Sequence, residues 1–145
     1  MTDPVDHDHD RIALAVQQPW AELIVRGIKT IEIRSTSARV RGPIYLYASR
    51  KPSQLPDAAV AAERFGLDVD ALPRGILIGQ ADLAESRPAK ADDAAAACVT
   101  AERLAGRTAW RFANPKKFSE PLAVRFLPYG IWFYPFRRRK GGRRG

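Results

Sequence analysis

Residues 17–35, QQPWAELIVRGIKTIEIRS, change their hydrophobic period at Gly27. Before the glycine, WAELIV spaces its apolar residues as a helix does when one face packs on a core, and Pro19 is favoured at a first helical position. After the glycine, TIEIRS alternates apolar and polar residues, which is the period of a half-buried strand. Because glycine readily adopts the left-handed conformation that ends helices, the run predicts a short helix, a turn and a strand.

Further short runs of the same two kinds follow, separated by Gly and Pro. Their irregular order predicts an α+β fold, namely a small, mostly antiparallel β-barrel of five or six strands with two or three flanking helices. The two alanine-rich runs are predicted helices because alanine has the highest helix propensity. The predicted strands are RIALAV, GPIYLYAS, GILIGQADLAESRP, TAWRF, LAVRFLP and GIWFYPF, and the further helices are PDAAVAAERFG and ADDAAAACVTAERLAG.

The length of 145 residues fits one domain. We expect a disordered acidic arm at residues 1–10, the domain at 11–136 and a disordered basic tail at 137–145. His7 and His9 of the arm could bind a divalent metal ion, but a mobile terminal segment binds metal weakly or not at all, so no metal or cofactor is expected. The arm lacks the apolar core of a signal peptide, and the single Cys98 cannot form an internal disulfide, so a cytoplasmic location without a membrane segment is predicted.

Positive charge is concentrated in two places. The tail RRRKGGRRG carries six positive charges, and residues 26–51 hold seven basic residues against Glu32. Residues 11–136 alone have a net charge of +6, within a total of +8. Such a surface favours a polyanionic partner, of which nucleic acid is the commonest. A solubilising face is the alternative that charge alone leaves open.

The opening run resembles the signature of the activating signal cointegrator homology (ASCH) domain. In that family a PWA helix start leads to a Gly-x-Lys-x-x-Glu-x-Arg motif, matched here by Gly27, Lys29, Glu32 and Arg34. AWRFANPKKFSEPLAVRF followed by GIWFYPF is similar to the family's closing pattern of a strand, an Asn-Pro turn and a last strand with Gly and Trp. The resemblance covers about residues 11–136, and the start of the domain is most similar to the eukaryotic coactivator type.

Membership implies a PUA-like barrel that binds nucleic acid, RNA more than DNA, with the motif lining a cleft. Lys29, Glu32 and Arg34 would then hold a nucleotide, since a carboxylate accepts from a base amine and an arginine binds phosphate. Trp20 and Trp110 would offer stacking faces, worth about 1–3 kcal/mol per base. The alternative is a structural ion pair that joins helix to barrel, with both tryptophans in the core; Trp132 is predicted to lie in the core.

Other basic residues are predicted to contact phosphates. They fall at the strand ends that follow the motif, around the predicted Asn-Pro turn, where Arg107 also lies, and in the tail, which would bind by counterion release. The three groups are Arg39, Arg41, Arg50 and Lys51; Arg111, Lys116 and Lys117; and Arg137, Arg138, Arg139 and Lys140.

An enzymatic reading stays open as the alternative. One branch of the wider family removes the acetyl group of N4-acetylcytidine with a Lys-Thr-x-Thr-x-Arg motif, which Lys29, Thr30 and Arg34 match. Glu32 stands at the second threonine, so the proposed nucleophile is missing. A ribonuclease with Lys29 and Glu32 as acid and base is a further possibility, since such a pair can move the proton of a 2′-hydroxyl. Non-catalytic binding is favoured.

Overall fold

The computed structural model describes residues 8–137 and contains three α-helices and six strands. Residues 138–145, and with them the predicted contacts of Arg138, Arg139 and Lys140, lie outside the described residues, as does His7. The helices are α1 (Trp20–Val25), α2 (Pro56–Arg64) and α3 (Ala94–Ala97), and the strands are β1 (Ala13–Val16), β2 (Ile31–Arg34), β3 (Gly42–Ala48), β4 (Ile76–Pro88), β5 (Thr108–Leu122) and β6 (Trp132–Phe133).

The six strands form one curled sheet in the order β2-β5-β4-β3-β1-β6. β1 runs parallel to β3, and every other pairing is antiparallel. Together with the three helices this is the small, mostly antiparallel barrel architecture that the sequence predicts, here as a half-barrel. None of the described helices is long and apolar enough to cross a membrane.

Helix α1 fills the inside of the curl. All six of its residues are buried, and Gly27 ends it with a φ of 78° as predicted. The sheet makes room at Gly79 of β4, where a Cβ atom would lie 2.7 Å from Val25 Cγ1 and 2.3 Å from the carbonyl oxygen of Lys116. A side chain at this position would therefore separate the helix from the sheet, or β4 from β5.

Strand β5 corrects one sequence prediction. TAWRF and the start of LAVRFLP are a single strand of 15 residues, and no turn separates them. At the predicted Asn-Pro turn the pairing moves two residues along β4, from Asp82 to Gln80, and three along β5, from Ala113 to Lys116. This is a β-bulge, which accommodates the φ of 52° at Asn114 and the missing N–H of the proline that follows. Residues 123–131 connect β5 to β6 without forming the predicted strand.

The predicted third helix is also shorter than expected. Of ADDAAAACVTAERLAG only Ala94–Ala97 is α-helical, between the 3-10 turns Ala91–Asp93 and Ala101–Leu104. Cys98 ends α3 in the left-handed region, with a φ of 59°. Alanine propensity is a weak preference, and the packing of this segment across the end of β2 overrides it.

The two edges of the sheet, β2 and β6, face each other across an open seam that side chains bridge. Trp110 of β5 stacks on Trp132 of β6 with ring centroids 5.8 Å apart. Arg34 of β2 donates from Nη2 to the carbonyl oxygen of Ala15 in β1 at 3.3 Å. Trp132, predicted to be buried, is half-buried and packs against the core from its margin, because the seam leaves one side of it open.

The ends of the described chain meet on the face of the sheet opposite to α1. The N–H of Asp8 donates to Tyr45 Oη at 2.6 Å, and Arg137 Nε lies 3.6 Å from Asp10 Oδ1. Asp8 and Asp10 belong to the arm predicted at residues 1–10, so these two arm residues contact the rest of the described chain. The division into arm, domain and tail otherwise stays a prediction.

Candidate functional site

The seam opens into a cleft with a volume of about 750 Å³. This volume lies within the range of small-molecule sites. Its walls come from β1, α1, β2, the segment after β3, the 3-10 turn before β5 and the connection before β6. The motif strand β2 is one edge of the sheet, so the motif lies beside the seam that side chains bridge.

Three motif side chains lie on the floor of this cleft, as the resemblance implies. The turn at Gly27 brings Lys29 under α1, and β2 then pairs with β5 so that Glu32 lies opposite Trp110 and Arg34 opposite Thr108. Because alternate residues of a strand share a face, Glu32 and Arg34 point to the same side. Lys29, Glu32 and Arg34 all line the cleft.

The three charges form one network centred on Glu32. Arg34 Nε donates to Glu32 Oε2 at 2.8 Å, and Lys29 Nζ lies 3.5 Å from Oε1. Lys29 also donates to the carbonyl oxygen of Ala97 and lies 4.7 Å from the centroid of the Trp20 ring. Lys29 is 2% exposed and Glu32 7%, so each charge depends on the others for compensation. The ion pair that the sequence left as an alternative to ligand binding thus exists, but it lines a cavity.

Burial lowers the pKa of Lys29 from its usual value of 10.5, and the Glu32 carboxylate partly opposes this shift. Desolvation disfavours the ammonium form, whereas the neighbouring carboxylate favours it. The neutral amine therefore becomes accessible at a lower pH than for a lysine in water.

This shift predicts a difference in stability that depends on pH. Between the lowered pKa of folded Lys29 and the usual 10.5, the unfolded chain binds more protons than the folded chain, so this lysine makes stability rise with pH. We expect the free energy of unfolding of the wild type, minus that of Lys29→Met, to increase as pH is raised toward 10.5. Urea unfolding at a series of alkaline pH values measures it. Parallel curves for the two proteins would contradict the prediction.

The two predicted stacking residues have different positions. Trp20 lines the cleft, although only 6% of it is exposed. Trp110 is 1% exposed, donates from Nε1 to the carbonyl oxygen of Thr36, and is covered by Trp132 and by the Arg34 guanidinium. The prediction that Trp110 stacks on a ligand gains no support from this position, because the ring is buried in contact with Trp132 and Arg34 and does not line the cleft.

The structure brings only part of the predicted basic rim to the cleft. Arg50 lines it, whereas Arg39, Arg41 and Lys51 are exposed outside it. On the bulged part of β5, Lys117 contacts the buried Glu22, and Lys116 is exposed away from the cleft. Arg111 pairs with Glu85 at 3.0 Å, and Arg137 lies over the ring of Tyr134 on the opposite face of the sheet.

Two sets of lining residues were not selected from the sequence. Arg103 comes from the 3-10 turn before β5 and lines the cleft together with Arg107, which was predicted to contact phosphates beside the Asn-Pro turn. The apolar set is Leu55, Leu127 and Ile131. No local signal identifies these residues, because their convergence depends on how three connecting segments cross the seam.

The comparisons with known proteins identify the family and the fold. The model of the ASCH domain family matches residues 14–122. Activating signal cointegrator 1 from Homo sapiens is 43% identical over an alignment of 77 residues, which covers 48% of this chain and 13% of the human protein. The chain therefore spans a small part of that relative's length.

Solved structures are similar in fold at low identity. The crystal structure of ASCH from Zymomonas mobilis has a TM-score of 0.59 at 17% identity and covers 88% of both chains. Two mutants of the Zymomonas protein give TM-scores of 0.55 and 0.52, at 15% and 17% identity, covering 86% and 88% of this chain and 89% of theirs. At these identities the likeness establishes the PUA-like fold alone.

Proposed function

The chain belongs to the ASCH domain family, and on that premise we propose that it is an RNA-binding module that holds a nucleotide in the cleft along the seam. The family is associated with nucleic acid, which supports a nucleic-acid partner. The preference for RNA over DNA, the cleft as the binding site and a cytoplasmic location are parts of the proposal.

The observation that carries this proposal is the position of the motif charges on the cleft floor. Lys29, Glu32 and Arg34 are held in fixed positions by one another, and all three border the cavity. A carboxylate oriented by two cations accepts hydrogen bonds from base amines, while the arginine donates to phosphate or to a carbonyl edge. A structural ion pair alone has no need of a cavity of about 750 Å³ beside it.

Fluorescence anisotropy with hydroxyl-ended single-stranded RNA and with duplex DNA tests the proposal. We expect Arg34→Met to weaken RNA binding about tenfold, because the substitution removes a charge-assisted contact. The methionine side chain still covers the ring of Trp110, which the arginine covers in the wild type. Arg64→Met, at an exposed position outside the cleft, removes the same charge and should leave the affinity nearly unchanged.

The measurement is made on the whole chain and on a chain that ends at Arg137. The shorter chain lacks the basic residues beyond it, which bind any phosphate backbone and make the affinity more dependent on salt. Equal loss in the Arg34 and Arg64 variants, or binding that disappears with the tail, would place the RNA site outside the cleft.

A hydrolase acting on a modified nucleoside or on RNA is the second candidate, and the lowered pKa of Lys29 favours it. Lys29 Nζ lies 3.5 Å from Glu32 Oε1 in a cleft, and a lysine with a lowered pKa beside a carboxylate can act with it as an acid–base pair. Thr30 does not line the cleft, so it is not available as a substitute nucleophile. Turnover of N4-acetylcytidine or cleavage of RNA that is lost in Lys29→Met would support this function, and its absence at high protein concentration would leave binding alone.

A further inference from the structure

The positive charges of the cleft are not equally compensated. Lys29 and Arg34 share the carboxylate of Glu32 on the floor. Within the described residues 8–137, no group forms a hydrogen bond or ion pair with the side chains of Arg50 and Arg107, which also line the cleft and are exposed. The outer part of the cleft therefore carries positive charge that no carboxylate of the fold neutralises.

Arg103 adds to this outer charge. It lies 3.7 Å from Asp57 Oδ2, and that carboxylate also accepts a hydrogen bond from the N–H of Thr100. Its guanidinium is partly exposed and retains donors that can turn toward the cavity. We call Arg50, Arg103 and Arg107 the outer arginines. They come from two segments of the chain, the connection after β3 and the connection before β5, and they meet at this cleft.

An apolar lip borders the same cavity. Leu55 is 41% exposed, Leu127 61% and Ile131 46%, and all three line the cleft. Single exposed aliphatic residues are ordinary on a protein surface, but several that line one cavity mark a ligand site. Together with the outer arginines, these residues suit a ligand that has an apolar surface as well as negative charge.

The amount of uncompensated charge indicates the kind of anion. A phosphodiester within a strand carries one negative charge, whereas a phosphomonoester carries about −1.5 to −2 at pH 7 and has three strong acceptor oxygens. Arginine is the side chain best suited to such a group, because its planar fork donates two parallel hydrogen bonds. Three outer arginines thus match a phosphomonoester better than a single bridging phosphate.

We propose that the cleft binds a nucleoside phosphomonoester, with the phosphate held by the outer arginines and the base against the apolar lip. The phosphomonoester can belong to a free nucleotide or to the phosphorylated end of a single strand. This inference rests on the proposed function and names the ligand class of the same cleft. It adds the outer arginines to the binding residues, beyond the Lys-Glu-Arg motif.

Isothermal titration calorimetry of the whole chain tests the inference with four probes. They are cytidine, cytidine 5′-monophosphate, and one short RNA with either a 5′-hydroxyl or a 5′-phosphate. We expect the phosphate to strengthen binding at least tenfold in each pair, and Arg103→Ala/Arg107→Ala to abolish that gain. Arg64→Ala/Arg125→Ala, at exposed positions outside the cleft, removes the same charge and should retain the gain.

The two pairs of probes distinguish the sources of the phosphate. A gain with both pairs supports the shared chemistry, and a gain with only one pair assigns it to the free nucleotide or to the strand end. If phosphate adds nothing in either pair, or if its gain survives in the Arg103/Arg107 variant, the inference is overturned. If the inference is overturned but RNA binding still depends on Arg34, the proposed function stands. If RNA binding does not depend on Arg34 either, the proposed function is overturned as well.

Discussion

Replacing Glu32 by alanine is expected to lower the free energy of unfolding by about 3–5 kcal/mol, the usual cost of removing one partner from a buried ion pair. Glu32 compensates both Lys29, which is 2% exposed, and Arg34. Without it, the favourable contacts left to Lys29 among the described residues include the carbonyl oxygen of Ala97 and the ring of Trp20, and none of these is a carboxylate. Urea unfolding near neutral pH, followed by circular dichroism, measures the loss.

The double variant Lys29→Met/Glu32→Ala is the matched control. It removes the buried charge together with its counterion, and methionine fills much of the same space, so it should be more stable than Glu32→Ala alone. The loss in Glu32→Ala should also decrease at alkaline pH, because its Lys29 can then become neutral. A double variant less stable than Glu32→Ala would show that the carboxylate does not serve to compensate this lysine.

Replacing Gly79 by alanine is expected to cost about 3 kcal/mol or more, at the upper end of the penalties for overpacking a core. The new Cβ atom would lie 2.3 Å from the carbonyl oxygen of Lys116, which is part of the β4–β5 pairing and cannot rotate away. It would also lie 2.7 Å from Val25 Cγ1 of α1. Thermal and urea unfolding of the variant provide the measurement.

Gly130→Ala provides the comparison for that result. A Cβ atom at Gly130 would have its nearest neighbour, the carbonyl oxygen of Trp132, at an ordinary distance of 3.8 Å, and its φ lies outside the left-handed region. This variant should stay within about 1 kcal/mol of the wild type, because it adds a methyl group without a clash. Similar losses in both variants would show that contact with α1 and β5 is not what requires glycine at position 79.

The parts of the fold that follow from local pattern were predictable from the sequence. The helical spacing before Gly27 and the alternation after it placed α1, its end and β2. That the three motif charges line a cleft was implied by the resemblance to the ASCH family, not by their spacing. Period and glycine conformation are properties of adjacent residues, so they survive in any tertiary context that the chain adopts.

Features that depend on distant segments were not predictable. Asn114 and Pro115 suggest a turn by composition, yet they form a bulge because β4 continues alongside and keeps β5 extended. Trp110 is a residue type that often stacks on bases, yet Trp132 covers it from across the seam and Arg34 covers it from the neighbouring strand β2. Arg50 is far from Arg103 and Arg107 in sequence, so only the crossing of their two segments reveals that they share a cavity.

The pairing of β2 with β5 has a consequence for when the cleft can form. Ile31 lies opposite Arg111, so the motif strand pairs with a segment about 80 residues further along the chain. At a synthesis rate of about 5–20 residues per second, α1 can form seconds before β2 has its neighbour. We therefore expect the charged floor to assemble only after β5 has been synthesised, and a chain stopped before Thr108 to carry the complete motif without a binding site.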